Sequence, residues 1–429
     1  MELKIGIDVG GTFTDLTLFN LKTGELYFKK VPSTPESPSD SMGNGISVIL
    51  KETKNTPDQV GSIVHGTTLA TNALIQRRGT SVALLVTGGF RDVLHIGRQV
   101  RPNMNNWFVQ RPLPLIPRRL RYEVRERTLY TGEIEKKVDT HNLRRIAQEL
   151  RQNGVRSVAV CFLHSYINPY NERTVKAFLE EEEPGLKISI SSEILPEFRE
   201  YERMSTTVIN AYVQQLMEDY LNGLKKDLAQ IGVKGNFHIM QSNGGVMTLE
   251  TAKSKSAYTV LSGPAAGVLG GLHIAHQSGF DNVITADMGG TSFDISLIDR
   301  GRFTTGKENE INGLPIKVPM IDIITIGAGG GSIAWIDEGN ALRVGPQSAG
   351  ASPGPACYNK GGDAPTVTDA NLVLRRLNPD YFLGGEMRVY PELSARIIQE
   401  EVATPLDLSL ERAADRPGDG RNFCDSRNC

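Results

Sequence analysis

Two eight-residue segments of this 429-residue sequence share Asp, Gly, Gly, Thr and a closing Asp at the same offsets: residues 8–15 read DVGGTFTD and residues 287–294 read DMGGTSFD. In each, an Asp ends a short apolar run and is followed by two glycines and hydroxyl residues. Such a turn suits a nucleotide triphosphate carried with a divalent ion. Gly10, Gly11, Gly289 and Gly290 let the backbone approach phosphate oxygens and offer N–H donors, and Thr12, Thr14, Thr291 and Ser292 add hydroxyls. Asp8 and Asp287 are expected to face Mg²⁺ through its retained waters, because this ion keeps several waters and takes few carboxylates. One Gly-Gly turn is equally well a plain hairpin tip. Two copies with matching acids are not explained by turn preference alone. The sequence has no Walker A loop and no GxGxxG fingerprint, which sets aside the P-loop and Rossmann readings.

A third glycine cluster, residues 327–332 (GAGGGS), follows an apolar run. Gly329, Gly330 and Gly331 suit a backbone that wraps a phosphate or carbonyl closely, or a tight loop between strands. His65, in HGTTLATN at the end of an apolar strand, is a candidate catalytic or substrate-site residue, since ligands gather at strand C-termini in α/β folds. The alternative is a capping turn with a satisfied histidine. His95 is a weaker candidate of the same kind. Asp363 and Asp369 flank PTVT, and Asp369 reads first as a helix cap. Cys357 has no base marked near it and reads as a small buried residue. Residues 345–355 (GPQSAGASPGP) form a loop, either a lid or a connector.

The elements that must hold these residues are legible as alternation. Leu3, Ile5 and Ile7 lead into the first glycine pair and Leu16 and Leu18 lead out, a hairpin pattern. Residues 62–90 alternate strand, turn, helix and strand. Residues 142–163 give an amphipathic helix and an apolar strand, and 172–183 a further helix. A boundary is expected near 193, and 201–228 has helical apolar spacing that predicts one long helix joining two lobes. The hairpin pattern then returns from residue 282.

Composition sets few limits beyond these. With 39% hydrophobic and 22% charged residues and a net charge of −2, the chain can bury large cores and has no footprint for nucleic acid or a membrane surface. The one dense basic stretch lies at residues 118–127. Four cysteines without a CxxC pair argue against a disulfide framework or a zinc knuckle. No secretory signal or apolar span is read, so a cytoplasmic protein is expected.

With these residues in hand, the sequence resembles the hydantoinase A/5-oxoprolinase family, whose relatives include ATP-dependent acetone and acetophenone carboxylases. The stretches that carry the resemblance are IGIDVGGTFTDLTL, HGTTLATNALIQRRG, PEFREYERMSTTVINAYV, SGPAAGVLGG, ADMGGTSFDI, GAGGGSIAW, GPQSAGASPGPACY and PTVTDANLVL. The resemblance implies an α/β, actin-like ATPase (ribonuclease H-like) fold of two lobes, each giving one phosphate hairpin. It implies ATP and Mg²⁺, phosphoryl activation of a cyclic amide such as a hydantoin or 5-oxoproline, or of bicarbonate or a ketone in the carboxylases, and a hydantoinase B-like partner subunit in an oligomer. The expected layout is 1–192 for the first lobe, 193–414 for a second, incomplete lobe, and 415–429 for a polar tail unlike the family. Family members continue further and supply a glycine-rich adenosine-binding loop. A shortened lobe is therefore expected to expose apolar surface, and an inactive nucleotide-binding protein stays open as an alternative.

Overall fold

A computed structural model of the chain describes residues 2–10, 13–33, 38–100, 108, 112–326, 329–385, 387–415, 417–418 and 421–422. Gly11 and Thr12, residues 327–328 of the third glycine cluster and most of the 415–429 tail lie outside the described residues.

The chain is a mixed α/β fold. Its first sheet starts with three antiparallel strands, β1 (Leu3–Val9), β2 (Phe13–Asn20) and β3 (Leu26–Pro32). Helix α1 (Pro38–Glu52) returns the chain to β4 (Val60–Thr67), which pairs parallel to β1. In β1 the period of two is strict: Leu3, Ile5, Ile7 and Val9 are buried, which puts Asp8 on the opposite face of the strand. Helix α2 (Leu69–Ile75) follows β4 directly, so the residues between them are held at a strand end and a helix start at once.

A second, all-parallel sheet is inserted next. It comprises β5 (Val82–Thr87), β6 (Arg121–Val124), β7 (Ser157–Cys161) and β8 (Lys187–Ile190) in the order β8-β7-β5-β6. Helices α3 (Thr140–Gln152) and α4 (Tyr170–Glu182) make the crossovers. Strands β5 and β7 are buried along their whole length, as expected of a parallel sheet covered on both faces. Helix α3 is capped by Asp139, whose carboxylate accepts the N–H groups of His141 and Asn142.

The long helix read from spacing is α5 (Glu200–Ile231), 32 residues that end on Gly232 in the left-handed conformation. It packs on β7 and β8 and on α1, tying the inserted sheet to the first one. Beyond it, β9 (Asn236–Met240) pairs parallel to β4, and β10 (Val246–Thr248) pairs antiparallel to β9. The first sheet therefore reads β10-β9-β4-β1-β2-β3 and draws strands from both sides of residue 193.

Helix α6 (Ser262–Gln277) leads into the second hairpin, β11 (Val283–Met288) and β12 (Phe293–Asp299). β12 also pairs with β13 (Arg302–Phe303) and β14 (Ile324–Ile326). This sheet leaves Ile284, Leu297 and Ile324 about two-thirds exposed, at 67%, 63% and 64%. A separate apolar cluster around Ala334, Val367, Ile398 and Ala414 forms the remainder. Among the described residues, no helix is long and apolar enough to cross a membrane.

Candidate active site

Each hairpin is closed by the same bond. Gly10 N–H donates to the Phe13 carbonyl at 3.0 Å, and Gly289 N–H donates to the Ser292 carbonyl at 2.9 Å. Because the strands are in register up to these turns, the first and last residues of each repeat stand directly opposite: Asp8 faces Asp15, and Asp287 faces Asp294. Like charges in such cross-strand pairs repel. Among the described residues only Asp15 of these four has a lysine partner, Lys30 at 2.7 Å. Asp294 is held by the Thr325 hydroxyl at 2.6 Å and the Ser292 hydroxyl at 3.2 Å.

Helix α6 brings the two hairpins to one place. Its glycines recur every four residues on one face, at 263, 267 and 271. A Cβ on Gly263 would sit 2.7 Å from Asp8 Oδ1, one on Gly267 would sit 3.5 Å from Asp287 Oδ2, and one on Gly271 would sit 2.5 Å from the Thr285 methyl. The two acids thus lie along a single helix face, one turn apart. Gly66, the register partner of Asp8 on β4, is the other wall, where a Cβ would stand 3.3 Å from the same Oδ1.

The electrostatics follow from this enclosure. Asp8 Oδ1 is shielded from solvent and has no hydrogen-bond partner. Burial, followed by the charges of Asp15 and Asp287, pushes the Asp8 carboxyl up to about 7. Burial likewise raises Asp294 above the usual carboxylate range. The two hairpins thus carry four carboxylates, Asp8, Asp15, Asp287 and Asp294, with Lys30 paired to Asp15. Among the described residues no three His, Cys, Asp or Glu side chains converge to hold a metal by themselves.

The other sequence-predicted residues are placed as follows. Thr14 is fully buried, and its hydroxyl meets Ser33 Oγ at 3.0 Å; Ser33 Oγ in turn donates to the Gly10 carbonyl. Gly290 and Thr291 occupy the tip of the second hairpin. Gly329 is packed against that tip so tightly that a Cβ would meet Thr291 backbone atoms at 2.6 Å. Gly330 and Gly331 donate their N–H groups to the carbonyls of Gly289 and Gly290 at 2.9 and 2.6 Å. These N–H groups are therefore spent on bracing the second hairpin.

His65 does not reach the acids. It is fully buried, with Nδ1 3.4 Å from the Ile7 carbonyl and Nε2 2.8 Å from the Tyr220 hydroxyl on α5. Burial pushes its imidazole down to about 4, so it is neutral. Its neighbours do the joining: Thr68 Oγ1 donates to the Val9 carbonyl, Ser262 Oγ bonds both the N–H and carbonyl of Thr67, and Thr71 Oγ1 accepts the Leu261 N–H. The HGTTLATN segment thus clamps the first hairpin to the start of α6.

Asp15, Asp294, Gly66, Gly263 and Gly267 were not singled out as site residues from sequence. The signal for the two acids was their equal offset in both repeats. The signal for the two helix glycines was their spacing of four.

Comparison with known proteins is consistent across sequence and structure. The family model described as "Hydantoinase/oxoprolinase" matches residues 203–417, and "Hydantoinase/oxoprolinase N-terminal region" matches residues 4–183. An uncharacterized protein of Methanocaldococcus jannaschii is 40% identical over 96% of this chain and 62% of its own length. Caprolactamase subunit alpha of Pseudomonas jessenii is 38% identical over 96% of this chain and 60% of its own. The nucleotide-free structure of acetone carboxylase superposes with a TM-score of 0.86 at 29% identity, covering 96% of this chain and 60% of that one. The chain spans about three-fifths of the length of these relatives.

Proposed function

The chain belongs to the hydantoinase/oxoprolinase family, and from that premise we propose that its paired hairpins hold ATP and Mg²⁺ to activate the carbonyl of a cyclic amide for ring opening. The observation that carries this reading is the meeting of Asp8 and Asp287 along the glycine face of α6. The strand order β3-β2-β1-β4-β9, three antiparallel strands followed by two parallel ones, supports an actin-like, ribonuclease H-like first lobe. The β11–β12 hairpin would then open a second lobe.

In this reading Asp8 and Asp287 would hold the hydration shell of a Mg²⁺ ion, which would supply charge neutralisation at the phosphates. Gly10, Gly289, Gly290, Thr291 and Ser292 would lie against the phosphates, as Gly11 and Thr12 are expected to from the sequence. Thr14 and Gly329, Gly330 and Gly331 hold the two hairpins in shape, and His65 is a positioning residue behind β1. An unactivated amide is a poor electrophile, and phosphoryl transfer to its oxygen supplies the missing activation. The chemistry then depends mainly on positioning and charge. A partner subunit of the hydantoinase B kind would carry the ring-opening step.

A second reading, the nucleotide subunit of a ketone carboxylase, is favoured by the close backbone match to acetone carboxylase. The test is ATP turnover in the presence of the partner subunit, with caprolactam or 5-oxoproline in one arm and acetone plus bicarbonate in the other. Stimulation by a lactam without bicarbonate supports the first reading, and stimulation only by ketone plus bicarbonate supports the second. Asp287→Asn keeps the side-chain volume and the turn, and should lower turnover at least about a hundredfold with folding intact. Turnover within about twofold of the parent would remove Asp287 from the nucleotide site.

A further inference from the structure

The dense basic stretch at residues 118–127 folds into something the hairpin chemistry does not use. Strand β6 is the outer edge of the inserted parallel sheet. Between it, the turn after β5 and helix α3 lies a cavity of about 590 Å³. Six arginines line it: Arg91, Arg118, Arg119, Arg121, Arg125 and Arg145. They come from three separate parts of the chain, so their convergence is a product of the fold.

The carboxylates nearby do not balance them. Arg118 is paired through two bonds of 2.8 Å with Asp92. Arg125 and Arg145 lie 3.8 Å from Asp139 and Glu149. Glu123 accepts the Gly89 N–H at 3.0 Å. Arg91, Arg119 and Arg121 have no carboxylate at ion-pair distance among the described residues. Arg121 is the most telling of the three. It is 4% exposed, it donates Nε and Nη2 to the Ile116 carbonyl, and its Nη1 has no partner. Arg91 Nε is likewise buried and without a partner. Burial lowers the Arg121 guanidinium from its ordinary value, an effect opposed by Asp92 and reinforced by Arg118 and Arg91. Buried guanidinium N–H groups without an acceptor, Arg121 Nη1 and Arg91 Nε, cost free energy unless an anion joins them.

The walls also suit an oxyanion. Gly88 follows the C-terminal end of β5, a usual place for ligands in a parallel sheet. Asn142, at the cavity wall, accepts the Arg125 backbone N–H at its Oδ1, which leaves its NH₂ as a donor. Arginine forks match carboxylate and phosphate geometry through paired bonds. A concave space of this volume, walled by three elements, fits a small molecule rather than a length of chain.

We propose that this cavity, formed by β6, the β5 turn and α3, is a second ligand site that binds a small organic anion bearing two or more phosphate or carboxylate charges. It is separate from the hairpin acids and repels the cations they attract. The site could serve an effector or a charged substrate fragment, and the shared chemistry is the doubly charged oxyanion.

The experiment is calorimetric titration of the full chain, in Mg²⁺-free buffer containing chelator, with inorganic pyrophosphate in one arm and citrate in another. Each is compared with potassium chloride at equal ionic strength. Saturable binding of either anion is expected, and the arm that binds more tightly identifies phosphate or carboxylate as the source. Arg91→Gln combined with Arg119→Gln removes two unpaired guanidinium groups without touching Arg121's bonds to Ile116. It should weaken binding about tenfold or more while leaving the melting temperature nearly unchanged. Equal binding by parent and double variant would overturn the proposal. So would a response reproduced by potassium chloride, or binding of hexaglutamate with no binding of pyrophosphate or citrate.

Discussion

Gly263 lies against Asp8 so closely that a methyl group on it would stand 2.7 Å from the carboxylate Oδ1, whereas one turn along the same helix a methyl on Gly267 would stand 3.5 Å from Asp287 Oδ2. The first distance is a collision and the second is ordinary contact. Alanine improves helix propensity by about 1 kcal/mol at an interior position such as Gly267, whereas Gly263 is the second residue of the helix. Gly267→Ala should therefore keep or raise stability and keep nucleotide affinity within about threefold. Gly263→Ala should displace the Asp8 carboxylate and weaken Mg²⁺-ATP binding by at least about tenfold. Titration of both variants with nucleotide, beside thermal melts, reads the contrast. Equal affinity in the two would separate Asp8 from the nucleotide.

The Asp8 carboxyl gives the ligand-free protein an unusual pH dependence. Its value is raised from 3.8 to about 7, first by burial and then by Asp15 and Asp287. Between those values the folded chain holds a proton that the unfolded chain has released. Stability on this account is fully present below about pH 4, falls as pH rises through about 7, and is level above it. The difference from 3.8 to about 7 corresponds to about 4 kcal/mol at most. Asp8→Asn should flatten this limb and melt at a higher temperature than the parent at pH 8, while losing ATP turnover. A variant that keeps the parent's slope in urea unfolding between pH 5 and 8 would assign the dependence elsewhere.

His65 works in the opposite direction and through structure. Its imidazole is held near 4 against the ordinary 6.5, so the unfolded chain binds a proton there that the folded chain refuses. Its contribution is present above about pH 6.5 and is lost as pH falls towards 4. Tyr220→Phe removes the 2.8 Å bond to Nε2 and should cost about 1 kcal/mol, with kcat for ATP within about threefold of the parent. A loss of turnover beyond about a hundredfold at unchanged stability would restore His65 to the chemistry.

Local periodicity made much of this architecture legible. The alternation of Leu3, Ile5 and Ile7 predicted β1 and put Asp8 on the other face. The apolar spacing of 201–228 predicted the helix found at Glu200–Ile231. The equal offsets of the two repeats predicted that their acids meet. Long-range pairing was not legible. Nothing local marks β9 as the parallel neighbour of β4, so the first sheet's reach beyond residue 193 came only with the structure. The third glycine cluster reads as a phosphate wrap from composition. The N–H groups of Gly330 and Gly331 meet the hairpin carbonyls of Gly289 and Gly290, a match that depends on how two distant turns stack. His65 was read as following a strand, whereas β4 runs on through it to Thr67, and the side to which it points is decided by Tyr220 and Phe237, which lie far along the chain.

Asp369 is the clearest case in which an acid near the candidate site is structural. It is fully buried and accepts five hydrogen bonds: the N–H groups of Ala356, Cys357 and Thr366 at 3.2, 2.9 and 3.1 Å, and the hydroxyls of Thr366 and Ser394 at 2.7 Å each. It thereby caps the helix Val367–Val373 and ties it to the turn at Ala356–Tyr358. Asp369→Ala would leave three backbone donors and two hydroxyls without their acceptor in a dry interior. The expected cost is about 3–5 kcal/mol. Asp369→Asn retains the volume but points an NH₂ group at donors that need an acceptor, so it too should destabilise, by about 2 kcal/mol or more. Urea unfolding of both variants beside ATP turnover gives the answer. Turnover should fall only in proportion to the folded fraction. An Asn variant as stable as the parent but without turnover would place Asp369 among the groups that touch substrate.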